Sequence, residues 1–154
     1  MPRGIRRIRR RSVHALLGSA LLALVGGSRG ALAGDADFRL IVHPSNGSSA
    51  LDKAVLADYF LKKATRWNDG ESVKPVDLKS DSAVRKRFSE AVLKRSVSAV
   101  RSYWQQRIFS GRDVPPPEVD SDEGVMAYVA RYPGAVGYVS VTTKLVGVRE
   151  LALR

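Results

Sequence analysis

The chain of 154 residues contains no cysteine. That excludes disulfide staples, thiolate metal sites and a lipid-modified N-terminal cysteine, so an ordinary hydrophobic core has to hold the fold. Histidine is almost as scarce, with His14 and His43 the only two. A Ser-His-Asp arrangement would have to run through His43, at the end of a strand pattern, where a structural role explains it more simply. No Gly-rich loop ending in lysine is present to cradle a nucleotide. The one dense acidic run, Asp120 to Glu123, suits the first turn of a helix better than a cation site. These absences point away from an enzyme and from a metal or organic cofactor.

Acidic residues are missing altogether from the first 33 positions, while seven of the 26 lysines and arginines lie there. "MPRGIRRIRRR" is a basic n-region, Val13 to Val25 an apolar segment, and Ala31 to Ala33 a small-residue cleavage site. Together they are the anatomy of an export signal. The apolar run falls short of the ~20 residues that span a bilayer, so the expectation is a cleaved signal peptide over residues 1–33 and no membrane insertion afterwards. Arg10-Arg11 suits a twin-arginine route, although six arginines in eleven residues also produce such a pair by chance. Removing the leader leaves 19 basic and 15 acidic residues, a net charge of +4. The nucleic-acid reading suggested by the whole-chain charge of +11 is thereby lost. About 120 residues remain, enough for one domain over residues 34–154, periplasmic or secreted, that buries roughly two-thirds of its unfolded surface.

Within that domain strands alternate with helices. "FRLIVH" (Phe38 to His43) reads as a strand, followed by the turn-forming loop Ser45 to Ser49. Ser49 and Asp52 have the spacing of a capping box, opening a helix with Leu51, Val55, Leu56, Tyr59 and Phe60 inward. "KPVDL" to Leu78 reads as a second strand. A helix carrying Val84, Phe88, Ala91 and Val92 follows, and then another capped by Ser96 with Val97, Val100, Trp104 and Ile108 on one face. Trp67 and Trp104 read as core. The prolines at 115–117 mark an irregular connection. A fourth helix starts at Asp120 or Ser121 with Val125, Tyr128, Val129 and Tyr132 inward. Pro133-Gly134 ends it, "AVGYVS" is the third strand, with Gly137 where something approaches the backbone closely, and "VRELAL" is a fourth. The expected fold is an α/β lobe with a small, mainly parallel sheet flanked by about four helices.

Two junctions, Ser45 to Ser49 and Lys79 to Ser82, place small hydroxyl residues and backbone N–H groups at a helix N-terminus, an arrangement that binds oxyanions. The same serines would serve equally as plain helix caps. Arg85 lies in the first turn beside the second junction, within a basic cluster, Arg85 to Arg87, that otherwise reads as a solvated helix side.

"LADYFLKKATRWNDG", "KPVDLKSDSAVRKRF" and "GVMAYVARYPGAVGYV" resemble, in order and near-spacing, the segments "ADIFxGKITxWND", "PVxRSDGSGTTxxF" and "GVxxYVxxxPGAIGYV" of phosphate-binding proteins of ABC transporters. These belong to the type II periplasmic solute-binding superfamily. The resemblance implies one lobe of that fold, non-enzymatic binding of phosphate or a related oxyanion, and an ABC transporter permease or another envelope protein as partner. Aligned from Pro75-Val76, the family's anion loop falls on Leu78 to Arg85. Its arginine becomes Leu78, its aspartate Ser80, and its Gly-Ser-Gly-Thr becomes Asp81, Ser82, Ala83 and Val84. Only Ser82 is unchanged among the gripping groups, and each lost charge-assisted hydrogen bond costs roughly 1.5–3 kcal/mol. The candidate ligand set is Lys79, Ser80, Asp81, Ser82 and Arg85, with the two cations as partial compensation. The alternative is a lobe without ligand that serves as an interaction or sensory module in the envelope.

Overall fold

The structure, a computed structural model, describes residues 38–154; the expected signal peptide lies outside the described residues. Strand β1, Phe38–Val42, buries four of its five side chains and lies inside a four-stranded sheet. Its long partner is β6, Ala135–Ser140, with Leu40 opposite Tyr138 and Ile41 opposite Gly137. On the far side of β6 lies β3, Lys74–Pro75, and on the far side of β1 lies β7, Arg149–Glu150. Two short parallel pairs flank this sheet. β2 (Ala50–Leu51) pairs with β8 (Ala152–Leu153), and β4 (Asp77–Leu78) pairs with β5 (Glu118–Val119).

The main sheet is mixed, which corrects the expectation of a mainly parallel one. β1 runs antiparallel to both β6 and β7, and only β3 is parallel to β6. The rule that favours parallel neighbours governs strands joined by a single crossover. β1 and β6 are separated by nearly the whole domain, so their relative direction is set by packing. Two segments read as single strands also divide. "KPVDL" switches partner at Val76, from β6 to β5, and "VRELAL" switches at Leu151, from β1 to β2. Both pivot residues are buried, so each switch is anchored in the core.

Among the described residues the helices are α1 (Lys53–Phe60), α2 (Ala83–Phe88), α3 (Val97–Phe109) and α4 (Asp122–Arg131). α2 continues through a π-helical turn, Ser89–Leu93. Ser82, Ser96 and Ser121 each accept a hydrogen bond from the backbone N–H three residues on, the geometry of an N-cap. Ser49 does not cap α1. Ala50 and Leu51 are drawn into β2, and Asp52 occupies the cap position without a side-chain hydrogen bond. The inward stripe of α3 stops at Trp104. Ile108 is half exposed and Phe109 almost fully so, because the last turn extends past the packed surface.

Phe38, Phe60, Phe88 and Tyr138 form the aromatic centre of the core, with Phe88 and Tyr138 stacked at 3.8 Å between ring centroids. Trp67 is buried and donates its indole N–H to the Gly134 carbonyl at 2.9 Å. The Pro133-Gly134 break is now explained. Gly134 has φ +77°, and a Cβ there would lie 2.1 Å from the Ser72 carbonyl oxygen, so the chain turns into β6 only with glycine at that point.

Candidate functional site

β4 opens on an aspartate in an otherwise apolar run, and the fold buries it: Asp77 is 4% exposed. A carboxylate without water needs partners of opposite charge or hydrogen-bond donors, and three groups supply them. The Tyr138 hydroxyl on β6 donates to Oδ1, the Leu78 amide donates to the same oxygen at 3.0 Å, and the Arg85 guanidinium on α2 pairs with Oδ2. Arg85 also donates to the Leu78 carbonyl at 3.4 Å. Burial lowers the pKa of Arg85 and pushes the Tyr138 phenol up, with the Arg85 charge pulling that phenol back. Asp77, Arg85 and Tyr138 thus form a buried polar network that ties α2 to two sheets.

This placement corrects the reading of Arg85 as part of a solvated basic side. It is 4% exposed, and its Nε has no hydrogen-bond acceptor. Lys79 is solvated and paired with Asp120 across the β4–β5 ends, a contact that raises its pKa. Ser80 accepts a hydrogen bond from Arg101 of α3 at 3.4 Å. Ser82 uses its hydroxyl to cap α2, accepting from the Arg85 amide at 3.3 Å. Asp81 is exposed. The loop therefore holds the five candidate residues close in space, with each cation facing a carboxylate and Ser82 facing its own helix.

Behind the loop lies a cleft of about 140 Å³. Ser80, Arg85 and Arg101 supply polar lining, and Trp104, Pro115 and Pro116 supply apolar lining. Arg101 carried no signal in the sequence, since an arginine on an exposed helix position is ordinary. Asp77 did carry one, an acid between Val76 and Leu78 in a strand, which asks for a buried cation.

The other junction, Ser45 to Ser49, presents carbonyls: Arg149 donates to the backbone oxygens of Asn46 and Ser48. His43 closes the turn beside it, its Nδ1 2.7 Å from the Ser45 hydroxyl. Among the described residues no group of three His, Cys, Asp or Glu is placed to hold a metal ion, and no helix is long and apolar enough to cross a membrane.

No family model matches the sequence, and no curated protein matches it. Solved structures do resemble it. An ABC-type phosphate transport receptor from Vibrio cholerae superposes with a TM-score of 0.61 at 16% identity, covering 76% of this chain and 46% of the receptor. A putative phosphate ABC transporter substrate-binding protein with bound phosphate from Clostridium perfringens gives 0.60 at 19% identity, over 76% and 44% of the two chains. PstS from Borrelia burgdorferi gives 0.59 at 12% identity, over 77% and 47%. The chain spans less than half the length of each, and it has the mixed α/β fold of that part of them.

Proposed function

We propose that the chain is an exported, non-enzymatic solute-binding protein of the phosphate-transport type, reduced to one lobe. It binds phosphate or a related small oxyanion at Lys79, Ser80, Asp81, Ser82 and Arg85 and works with an ABC transporter permease or another envelope protein. The observation that carries this reading is the fold shared with part of those phosphate transport receptors; in this chain the loop after β4 opens α2. The energetics divide the two cations. The Lys79–Asp120 pair is exposed, and solvent screens such pairs so that they add little stability; an incoming anion therefore displaces Asp120 from Lys79 at small cost. Arg85 is held by buried Asp77 and contributes field and backbone order more than a free grip.

The test is thermal melting of the purified protein with millimolar phosphate, sulfate, arsenate or molybdate, against chloride at matched ionic strength. A ligand selective for the native state stabilises it by mass action. A rise specific to one oxyanion that disappears in Lys79→Ala supports the reading; no rise, or a rise unchanged in Lys79→Ala, sinks it. A second reading, an interaction module without ligand, is favoured by the pairing of both loop cations with carboxylates and by buried Leu78 where the resembling family has arginine. It expects a partner retained on the immobilised protein and melting that no anion changes.

A further inference from the structure

The cleft behind the loop has a lining that inorganic phosphate does not need. Val97 and Val100 add to Trp104, Pro115 and Pro116 along its wall, and apolar surface of that kind gains free energy only by covering apolar ligand atoms. Its polar side is incomplete. Arg85 is buried and held by Asp77, so it adds a fixed positive charge to the lining and no donor free to turn to a ligand. Arg101 is exposed, and its guanidinium reaches the Ser80 hydroxyl at 3.4 Å, leaving most of its donor fork uncommitted. The charges lining the cleft balance, Arg85 and Arg101 against Asp77 and Glu118. No excess positive charge is present to draw in a dianion, and recognition of an anion is left to local contacts, of which the fork of Arg101, the guanidinium not held by a buried acid, suits a single carboxylate. The volume, about 140 Å³, is roughly ten times the ~10–15 Å³ that accommodates one water.

We infer that this cleft is a binding site for a short aliphatic monocarboxylate, its carboxylate received by the exposed Arg101 guanidinium and its hydrocarbon body laid against Trp104 and the prolines. The inference rests on the reading of the chain as a solute-binding lobe and goes beyond it, to a second ligand class in the space behind the loop.

The experiment uses the full chain labelled with ¹⁵N. The sequence has two tryptophans, and the indole N–H of Trp67 is occupied by the Gly134 carbonyl, so the Trp104 indole signal reports on the cleft. Isovalerate is titrated in, with neutral isovaleramide and inorganic phosphate as the other arms. Isovalerate should move the Trp104 signal and leave that of Trp67 in place. Its affinity should fall about tenfold in Arg101→Gln, an exposed substitution that leaves the core intact, and isovaleramide should bind about tenfold more weakly. The inference is overturned if isovalerate at tens of millimolar leaves Trp104 unmoved, if the amide binds equally well, or if Arg101→Gln has no effect. Phosphate that moves the Ser80 to Ser82 amides while isovalerate moves nothing also overturns it and leaves the oxyanion reading standing. The reverse pattern supports the inference and removes the oxyanion site.

Discussion

Gly137 sits in β6 opposite Ile41, at the point where α4 and the chain between β3 and β4 close on the sheet. A Cβ at this position would lie 2.5 Å from a methyl of Val125, 2.9 Å from one of Val76 and 3.2 Å from one of Val129. All three neighbours are β-branched and fully buried, so they have little rotamer freedom with which to give way. Gly137→Ala is expected to lower stability by about 1–3 kcal/mol, the range for overpacking a filled core. Urea unfolding measures it. Gly47→Ala is the control, since a Cβ there meets nothing within 4 Å, and it should leave the unfolding midpoint in place. The position was legible in "AVGYV" as a close approach, but the three valines that make the approach come from segments 8 to 61 residues away and carried no mark of their own. Arg85 is the converse case. Its sequence neighbours, Lys86 and Arg87, suggested solvent, and only the buried carboxylate of Asp77 turned its side chain inward.

At the scale of elements, local chemistry set helix starts wherever nothing distant competed. Ser96 and Ser121 stand immediately before helical patterns and both cap, each accepting from the amide three residues on at 3.2 Å. Ser49 has an equally good local pattern, but β8 pairs with Ala50 and Leu51, and two extended residues displace the helix start to Lys53. This contrast is measurable. Ser121→Ala should cost about 1 kcal/mol, the usual value of an N-cap side chain, whereas Ser49→Ala should stay within about 0.5 kcal/mol, as surface changes away from such features do. Equal losses in the two variants would mean that the cap assignment of α1 is wrong. Strand direction was the other illegible property of the elements. The near-continuous apolar runs of β1 and β6 mark strands buried on both faces, and such a run reads the same whichever way the partner runs.

At the scale of the whole molecule, the last six residues stitch two sheets together. The Leu151 amide donates to the Leu40 carbonyl, the Arg154 amide to that of Leu51, and the Lys53 amide to that of Arg154. Leu151 itself is buried between β7 and β8. Truncation after Val148 should lower stability by more than the roughly 2 kcal/mol that burying one leucine contributes. It should also promote aggregation, because the edge of β1 is uncovered. Thermal melting and light scattering of the truncated chain test this, and an unchanged melting temperature would show that these pairings add nothing.

The order of the longer strands and the helices, three of the four helix caps, the turn at Pro133-Gly134 and the loop leading into α2 were determined by the sequence itself, because each rests on interactions within a few residues: hydrophobic period, side-chain capping and backbone steric limits. The antiparallel pairing of β1 with β6, the two strand switches, the burial of Arg85 against Asp77 and the cleft between α2, α3 and the prolines were decided by the tertiary structure. Each of those depends on which distant groups meet once the core closes, and on the cost of leaving a charge or an amide unpaired there. One aspartate in an apolar strand was enough to convert an apparent surface cation into a structural one.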